Sequence, residues 1–168
     1  MSITENEKEN KIDIREIEGK IYAAMLAAGR SAMAEHLEAL DDTLAETRDK
    51  RQYRDKGKRQ TVLKTIMGEV EFNRRVYATW DEMGRKNHVY LLDETLGINT
   101  RGQMSPMLSE LVGTAACEST YRETARQVSG LTGQTISHQT AWTITQDAGS
   151  RVRAQEEVLA KQARDNKG

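Results

Sequence analysis

Polar side chains that can form hydrogen bonds are gathered in the segment "ISHQTAWTITQDAG", residues 136–149. Ser137 suits the N-cap position of a helix, and Ile136 and Ala141 occupy the two positions of a hydrophobic staple. A helix with polar side chains in its first turns can lie in the major groove of DNA and contact base edges. Glutamine can form two hydrogen bonds with adenine. The residues that we expect to contact bases are His138, Gln139, Thr143 and Gln146.

The preceding segment, "STYRETARQVSGL", predicts a second helix that would complete a helix-turn-helix unit. It has a small residue, Ala125, where two helices would cross closely, and the Gly-containing turn "TGQT" follows it. This turn is longer than in the tightest helix-turn-helix units. A plain helical bundle with a polar outer face would have the same pattern, so both interpretations stay open.

A second candidate binding feature is the positive charge between residues 48 and 77, where ten Lys or Arg residues stand against four Asp or Glu. Clustered cations on one segment favour contact with phosphates, with an affinity that falls as salt rises. The alternative is a solvated loop that pairs with residues 1–47, which hold five basic and eleven acidic residues. The predicted phosphate-binding residues are Lys50, Arg51, Arg54, Lys56, Lys58, Arg59 and, on the following sheet, Arg74 and Arg75.

The remaining reactive residue types do not form a catalytic pattern, and we predict no catalytic or metal-binding residue. The lone cysteine, Cys117, lies in the middle of a predicted helix and is expected to be buried, and it excludes an intrachain disulfide. Asp93 and Glu94 are adjacent at a predicted strand exit, where neighbouring side chains point apart. No Ser-His-Asp arrangement or phosphate-binding Gly loop is present, and no apolar run approaches the roughly 20 residues of a membrane span.

These candidate residues need elements that hold them, and the pattern predicts an α+β protein that is mainly α-helical. A three-stranded antiparallel meander would separate helices at both ends, because a two-stranded ribbon alone is marginal in water. The predicted organisation is a disordered lead-in at 1–12, a helical segment at 13–47, a basic arm at 48–60, the meander at 61–92, a helix-turn-helix bundle at 105–150, and a polar helical tail at 151–168.

The segment 13–47 has two possible roles. Its apolar residues recur every three or four positions, as in an amphipathic helix, and Gly29 divides them into two runs. The segment is therefore one bent helix or two helices, and it either packs on the core or forms a dimer. The residues of the stripe are Ile14, Ile17, Ile21, Met25, Ala28, Met33, Leu37, Leu40 and Leu44.

The predicted meander contains strand-forming residues on both sides of Gly68, which can adopt the positive φ of a tight hairpin. In its second strand, alternation places one set of side chains on one face and the next set on the other. The first set is Val70, Phe72, Arg74 and Val76, and the second is Glu71, Asn73, Arg75 and Tyr77.

Three blocks of the sequence resemble, in order, the N-terminal part of the ISLre-type (ISLre-two) insertion-sequence transposases. They are "RDKRQYRDKGKRQTVLKTIMGEVEFNRRVY", "VYLLDETLGI" and "SPMLSELVGTAACESTYRETARQVSGLTGQTISHQTAWTITQDAG". Together they lie within about residues 35–150.

This resemblance implies a DNA-binding region that recognises element ends in transposition, ahead of a catalytic domain. That domain would have a ribonuclease-H-like fold with three acidic residues and two divalent metals, normally Mg²⁺. No position here matches a catalytic acid, so we expect a transposase truncated before its catalytic domain, with no cofactor of its own. The expected partners are double-stranded DNA and a second copy of the chain or full-length transposase. The expected location is the cytoplasm, in association with the nucleoid, and no membrane association is expected.

Overall fold

The structure is a computed structural model that describes residues 13–98 and 103–165. It is an α+β fold that is mainly helical, as predicted. The predicted lead-in at 1–12 and the last residues of the predicted tail lie outside the described residues. The elements are α1 (Ile14–Thr47), β1 (Arg54–Thr65), β2 (Gly68–Trp80), β3 (Lys86–Val89), α2 (Leu91–Leu96), α3 (Pro106–Glu118), α4 (Tyr121–Thr132) and α5 (His138–Asp165).

Helix α1 is one continuous helix of 34 residues, capped at its start by the side chain of Asp13. Gly29 lies where α1 passes the β1–β2 turn, since a Cβ there would be 2.5 Å from Sδ of Met67. The half of α1 after Gly29 packs on the core, whereas Ile14 and Met25 in the first half are exposed. The core-packing interpretation of the stripe therefore holds only for its second half.

The sheet is a three-stranded antiparallel meander in the order β1-β2-β3. The prediction of a basic arm over 48–60 is wrong in its second half, because β1 already begins at Arg54 and pairs with Ala78 of β2. The register of this pairing shifts at a bulge between Asp55 and Lys58. Gly57 adopts φ +91° there and donates its N–H to Oδ1 of Asp55.

The end of the meander also differs from the prediction. β3 stops at Val89, and the residues that follow form the short helix α2, which ends at Gly97 with φ +62°. Asp93 and Glu94 therefore lie in the first turn of a helix instead of at a strand exit. Leu92 of this helix is fully enclosed in the core between α1 and the sheet.

Helix α1 also covers the edge of β2 that β3 leaves unpaired. The backbone N–H of Asn73 donates to Oε1 of Glu38 at 2.7 Å, and that of Arg75 donates to Oδ1 of Asp41 at 3.0 Å. Glu38 and Asp41 are three residues apart and so lie on the same side of the helix. Part of the acidic charge of α1 is thus used to satisfy main-chain donors of the sheet.

Helices α3, α4 and α5 form a three-helix bundle with a core of its own. Ser105 caps α3 through a hydrogen bond from the N–H of Leu108, and Pro106 is the first residue of that helix. The bundle is tied to β1 because Ser105 donates its N–H to the oxygen of Lys64 at 2.8 Å. The buried core residues are Leu108, Val112, Ala125, Val128, Ile136 and Ala141.

Candidate nucleic-acid interface

The start of α5 is fixed in the bundle by its cap and by two buried side chains. Ser137 Oγ accepts a hydrogen bond from the N–H of Thr140 at 3.0 Å, as predicted for an N-cap. Ile136 and Ala141, the predicted staple residues, are both buried in the bundle core. Since one side of α5 faces this core, the opposite side of its first three turns is turned to solvent.

All four predicted base-contacting residues lie on the exposed side of α5. His138, Gln139, Thr143 and Gln146 are each exposed. The hydroxyl group of Thr143 donates a hydrogen bond to the main-chain oxygen of Gln139 at 2.9 Å. The structure thus brings together one group of hydrogen-bonding side chains on a single helix face.

Trp142, which was not among the predicted base-contacting residues, lies on the same face. Its side chain is 45% exposed. With Tyr121, His138 and Gln139 it lines an open cavity of about 350 Å³ between the start of α4 and α5. The signal was present in the sequence, because Trp142 is three residues after Gln139 and four before Gln146 and so shares their helix face.

The start of α4 also carries charged side chains. Thr120 caps α4 by accepting the N–H of Glu123 at 3.3 Å. Arg126 donates to Glu123 at 2.5 Å, and this hydrogen bond lowers the pKa of Glu123 below its ordinary value. Arg122 is exposed and forms no ion pair with any described residue, so its charge is available next to Tyr121.

The predicted phosphate-binding residues of segment 48–60 are all exposed. Lys50 and Arg51 lie in the connection between α1 and β1, and the others lie on β1. Lys58 is paired with Asp42 at 2.9 Å, which agrees with the alternative of pairing to the acidic helix. The other predicted phosphate-binding residues of this segment form no ion pair within residues 13–98 and 103–165; they are Lys50, Arg51, Arg54, Lys56 and Arg59.

Arg75 is not part of this exposed basic surface. Its guanidinium is held by Asp41 at 2.9 Å and by Asp42 at 2.5 Å, with Asp55 nearby at 3.5 Å. Partial burial opposes the charged form, but the hydrogen bond to Asp42 and the charge of Asp41 raise the pKa of Arg75 above its ordinary value. Arg75 therefore connects α1 to β2 and does not reach outward.

Arg74 points to the opposite face, as alternation predicts, and is buried. Its guanidinium pairs with Asp93 of α2 and stacks on the ring of Tyr90, with 4.0 Å from Cζ to the ring centroid. Burial lowers the pKa of Arg74 below its ordinary value. The prediction that Arg74 extends the basic surface fails because that face of β2 is the core face.

The basic residues of β1 lie at a distance from α5. The bundle contacts β1 at its last two residues, where Ser105 donates to the oxygen of Lys64 and Nε2 of Gln134 donates to the oxygen of Thr65 at 2.6 Å. At about 3.3 Å per residue, Arg59 is roughly 20 Å and Arg54 roughly 36 Å from Thr65 along the strand. One turn of B-DNA is about 34–36 Å, so the stretch of β1 from Arg54 to Thr65 is about as long as one turn.

The residues considered for catalysis are not brought together. Cys117 is exposed, contrary to the prediction, because the buried residues Leu108 and Val112 place the core face of α3 on another side of the helix. Within the described part of the chain, no three His, Cys, Asp or Glu side chains are grouped as a metal site. Among the helices that the structure describes, from α1 to α5, none is long and apolar enough to cross a membrane.

The fold and its exposed face define a mainly helical α+β chain in which a three-stranded meander is joined to a three-helix bundle. Residues 7–168 match the Uncharacterised protein family (UPF0236), and the chain belongs to this family. A curated relative, the "UPF0236 protein in vanSb 3'region" of Streptococcus gallolyticus, is 29% identical over 133 residues. The match covers 79% of this chain and 29% of the relative, so the chain spans less than a third of that protein's length. No solved structure matches the chain.

Proposed function

We propose that this chain is the DNA-binding N-terminal module of an insertion-sequence transposase, which recognises element ends for DNA transposition. The observation that carries the proposal is the exposed face of α5, where His138, Gln139, Thr143 and Gln146 project from a helix fixed by a buried core. The resemblance of three sequence blocks to the ISLre-type transposases supports it independently.

In this proposal the two surfaces have different roles. The α5 face enters the major groove and reads base edges, which carry the sequence information. The unpaired cations of segment 48–60, such as Arg54 and Arg59, contact phosphates and supply affinity that does not depend on sequence. A duplex long enough to reach both would span about one helical turn.

The proposal assigns DNA recognition to this chain and no step of strand transfer. The resemblance implies three acidic residues and two divalent metals in a catalytic domain. The described residues do not fit such a site, because no group of three metal-binding side chains occurs among them. Any Mg²⁺ would therefore belong to a catalytic domain and not to the residues described.

The first half of α1 favours two related alternatives. Ile14, Ile21 and Met25 are 67%, 56% and 65% exposed, an apolar stripe that suits contact with another chain. A stand-alone helix-turn-helix regulator would use such a surface to form a dimer that prefers palindromic sites. A fragment that inhibits full-length transposase would use it for mixed assembly, without needing DNA.

The proposal is tested by titrating the chain with a mixed-sequence duplex of about two helical turns at low salt, followed by fluorescence anisotropy. Association that weakens with salt is the expected result. Gln139→Ala with Gln146→Ala should reduce the preference for a selected site over mixed DNA. Gln127→Ala is the matched control on α4, because its side chain binds Glu123 within the same helix. Absence of any association at low salt would refute the proposal.

A further inference from the structure

The cavity between α4 and α5 has walls of two chemical kinds. Two aromatic side chains, Tyr121 and Trp142, give it apolar surface, and Gln139 and His138 add polar groups. Its volume of about 350 Å³ lies near the lower end of the range for small-ligand sites. The cavity is open to solvent on the same side as the exposed face of α5.

The walls are held in place by the bundle. Tyr121 is the first residue of α4, is half-buried, and packs against the bundle core. Trp142 follows Ala141, which is fully buried in that core. The hydrogen bond from Thr140 to Ser137 fixes the helix turn that carries Gln139. The bundle therefore fixes the helix positions from which both aromatic side chains extend.

An A·T base pair has complementary groups on its major-groove edge. Adenine offers N7 as acceptor and its N6 amino group as donor, which match the two ends of a glutamine amide. Thymine offers an apolar 5-methyl group on the same edge. A G·C pair has no methyl group there, so the aromatic walls would gain no such contact with it.

We propose that this cavity recognises the major-groove edge of an A·T pair. Gln139 forms two hydrogen bonds with the adenine, and the rings of Trp142 and Tyr121 enclose the thymine methyl group. The inference rests on the proposed DNA-binding function and adds the base pair that this part of α5 selects. It also assigns Trp142 as a specificity-determining residue.

The test uses a duplex that the full chain selects from a random pool. At each A·T pair, one functional group of one base is then removed. Deoxyuridine in place of thymidine removes only the methyl group, and at one position it should weaken binding about fourfold. Deaza-adenine lacking N7 at the same pair should weaken binding about fivefold, because one hydrogen bond is lost.

Each of the two alanine variants should lose its response to one change only. Trp142→Ala should bind the thymidine and deoxyuridine duplexes equally while still responding to the deaza-adenine. Gln139→Ala should show the reverse. Trp142→Phe keeps an aromatic wall and should retain the methyl preference, which separates recognition from a folding defect.

The outcomes distinguish this inference from the function on which it rests. If wild-type binds the selected duplex but no thymidine shows a methyl effect, the inference is overturned and DNA binding stands. A methyl effect that persists unchanged in Trp142→Ala overturns it as well. If the chain binds no duplex at low salt, the proposed function and the inference fail together.

Discussion

Gln134 and Thr65 join the three-helix bundle to the sheet through a buried hydrogen bond of 2.6 Å from Nε2 to the main-chain oxygen. They are 69 residues apart in sequence. Arg30 of α1 donates to the oxygen of Met67 at 2.9 Å in the turn just beyond, so helix, hairpin and bundle meet at one place. This contact and the hydrogen bond from Ser105 to Lys64 together join the bundle to the sheet.

Replacing Gln134 with Ala should lower the free energy of unfolding by about 1–3 kcal/mol, because the oxygen of Thr65 would remain buried without that donor. Chemical denaturation followed by circular dichroism measures the change. Gln127→Ala removes an exposed amide and serves as the control. Equal stability of the two variants would show that the contact does not hold the bundle to the sheet.

Gly68→Ala should destabilise the chain by more than about 1 kcal/mol. Gly68 has φ +107°, and a Cβ there would be 3.2 Å from the main-chain oxygen of Thr132, which cannot move without α4. Gly19→Ala is the matched control, since a Cβ at that helical position meets no atom within 4 Å. The control should gain about 0.5–1 kcal/mol from the better helix propensity of alanine, as thermal unfolding can show.

The buried pair of Arg74 and Asp93 should be sensitive to removal of one partner. Asp93→Asn leaves the guanidinium without its counter-charge in the core, at an expected cost of about 3–5 kcal/mol. Arg74→Met combined with Asp93→Leu should recover most of this loss, because no buried charge remains. Arg151→Ala breaks the exposed pair with Asp147 and should leave stability nearly unchanged.

Acid should weaken the contact between α1 and the hairpin. The hydrogen bonds from Lys58 and Arg75 lower the pKa of Asp42 below its ordinary 3.8. A lowered carboxyl pKa stabilises the fold above 3.8, and this contribution is lost as the pH falls through the folded value. Asp42→Asn should therefore reduce stability at neutral pH and flatten its dependence on acid. Glu46→Gln, on an exposed residue of α1, is the control, and equal acid profiles for both would contradict the assignment.

The proposed phosphate role of β1 predicts a change in salt dependence. Lys56→Gln with Arg59→Gln should weaken binding to every duplex alike and reduce the slope of log affinity against log salt by about 1.8, or 0.9 per phosphate contact. Lys20→Gln is the control, because Lys20 is paired with Glu16 on α1. An unchanged slope would place the phosphate contacts elsewhere.

The sequence predicted features that depend on near neighbours. The caps Ser105 and Ser137 and the alternation of β2 follow from local rules, and the structure has both caps and an alternating burial pattern in β2 as far as Arg75. It did not predict that Arg54 to Arg59 form a strand, because charged residues have weak strand propensity and the pairing partner on β2 decides. The ion pair of Arg74 with Asp93 was equally hidden, since nothing local to Arg74 indicates α2.

In the candidate site, too, only the features that depend on near neighbours in the sequence could be predicted. The exposed polar face of α5 could be predicted from residue types, whereas the cavity could not, because Tyr121 comes from α4 and meets Trp142 only after the bundle folds. The sequence also did not indicate which basic residues would be paired with carboxylates and which would not. Asp41 and Asp42 neutralise Arg75 and leave Arg54 and Arg59 without partners among the described residues.

β1 is an outer strand of the sheet, and between Arg54 and Val62 its outer edge has no strand neighbour in the described chain. Such an edge is a template for aggregation, since its free main-chain groups can pair with a strand of another molecule. The bulge at Gly57 and the repelling lysines and arginines oppose that pairing. The positive charge of β1 therefore also disfavours edge-to-edge association between copies of the chain.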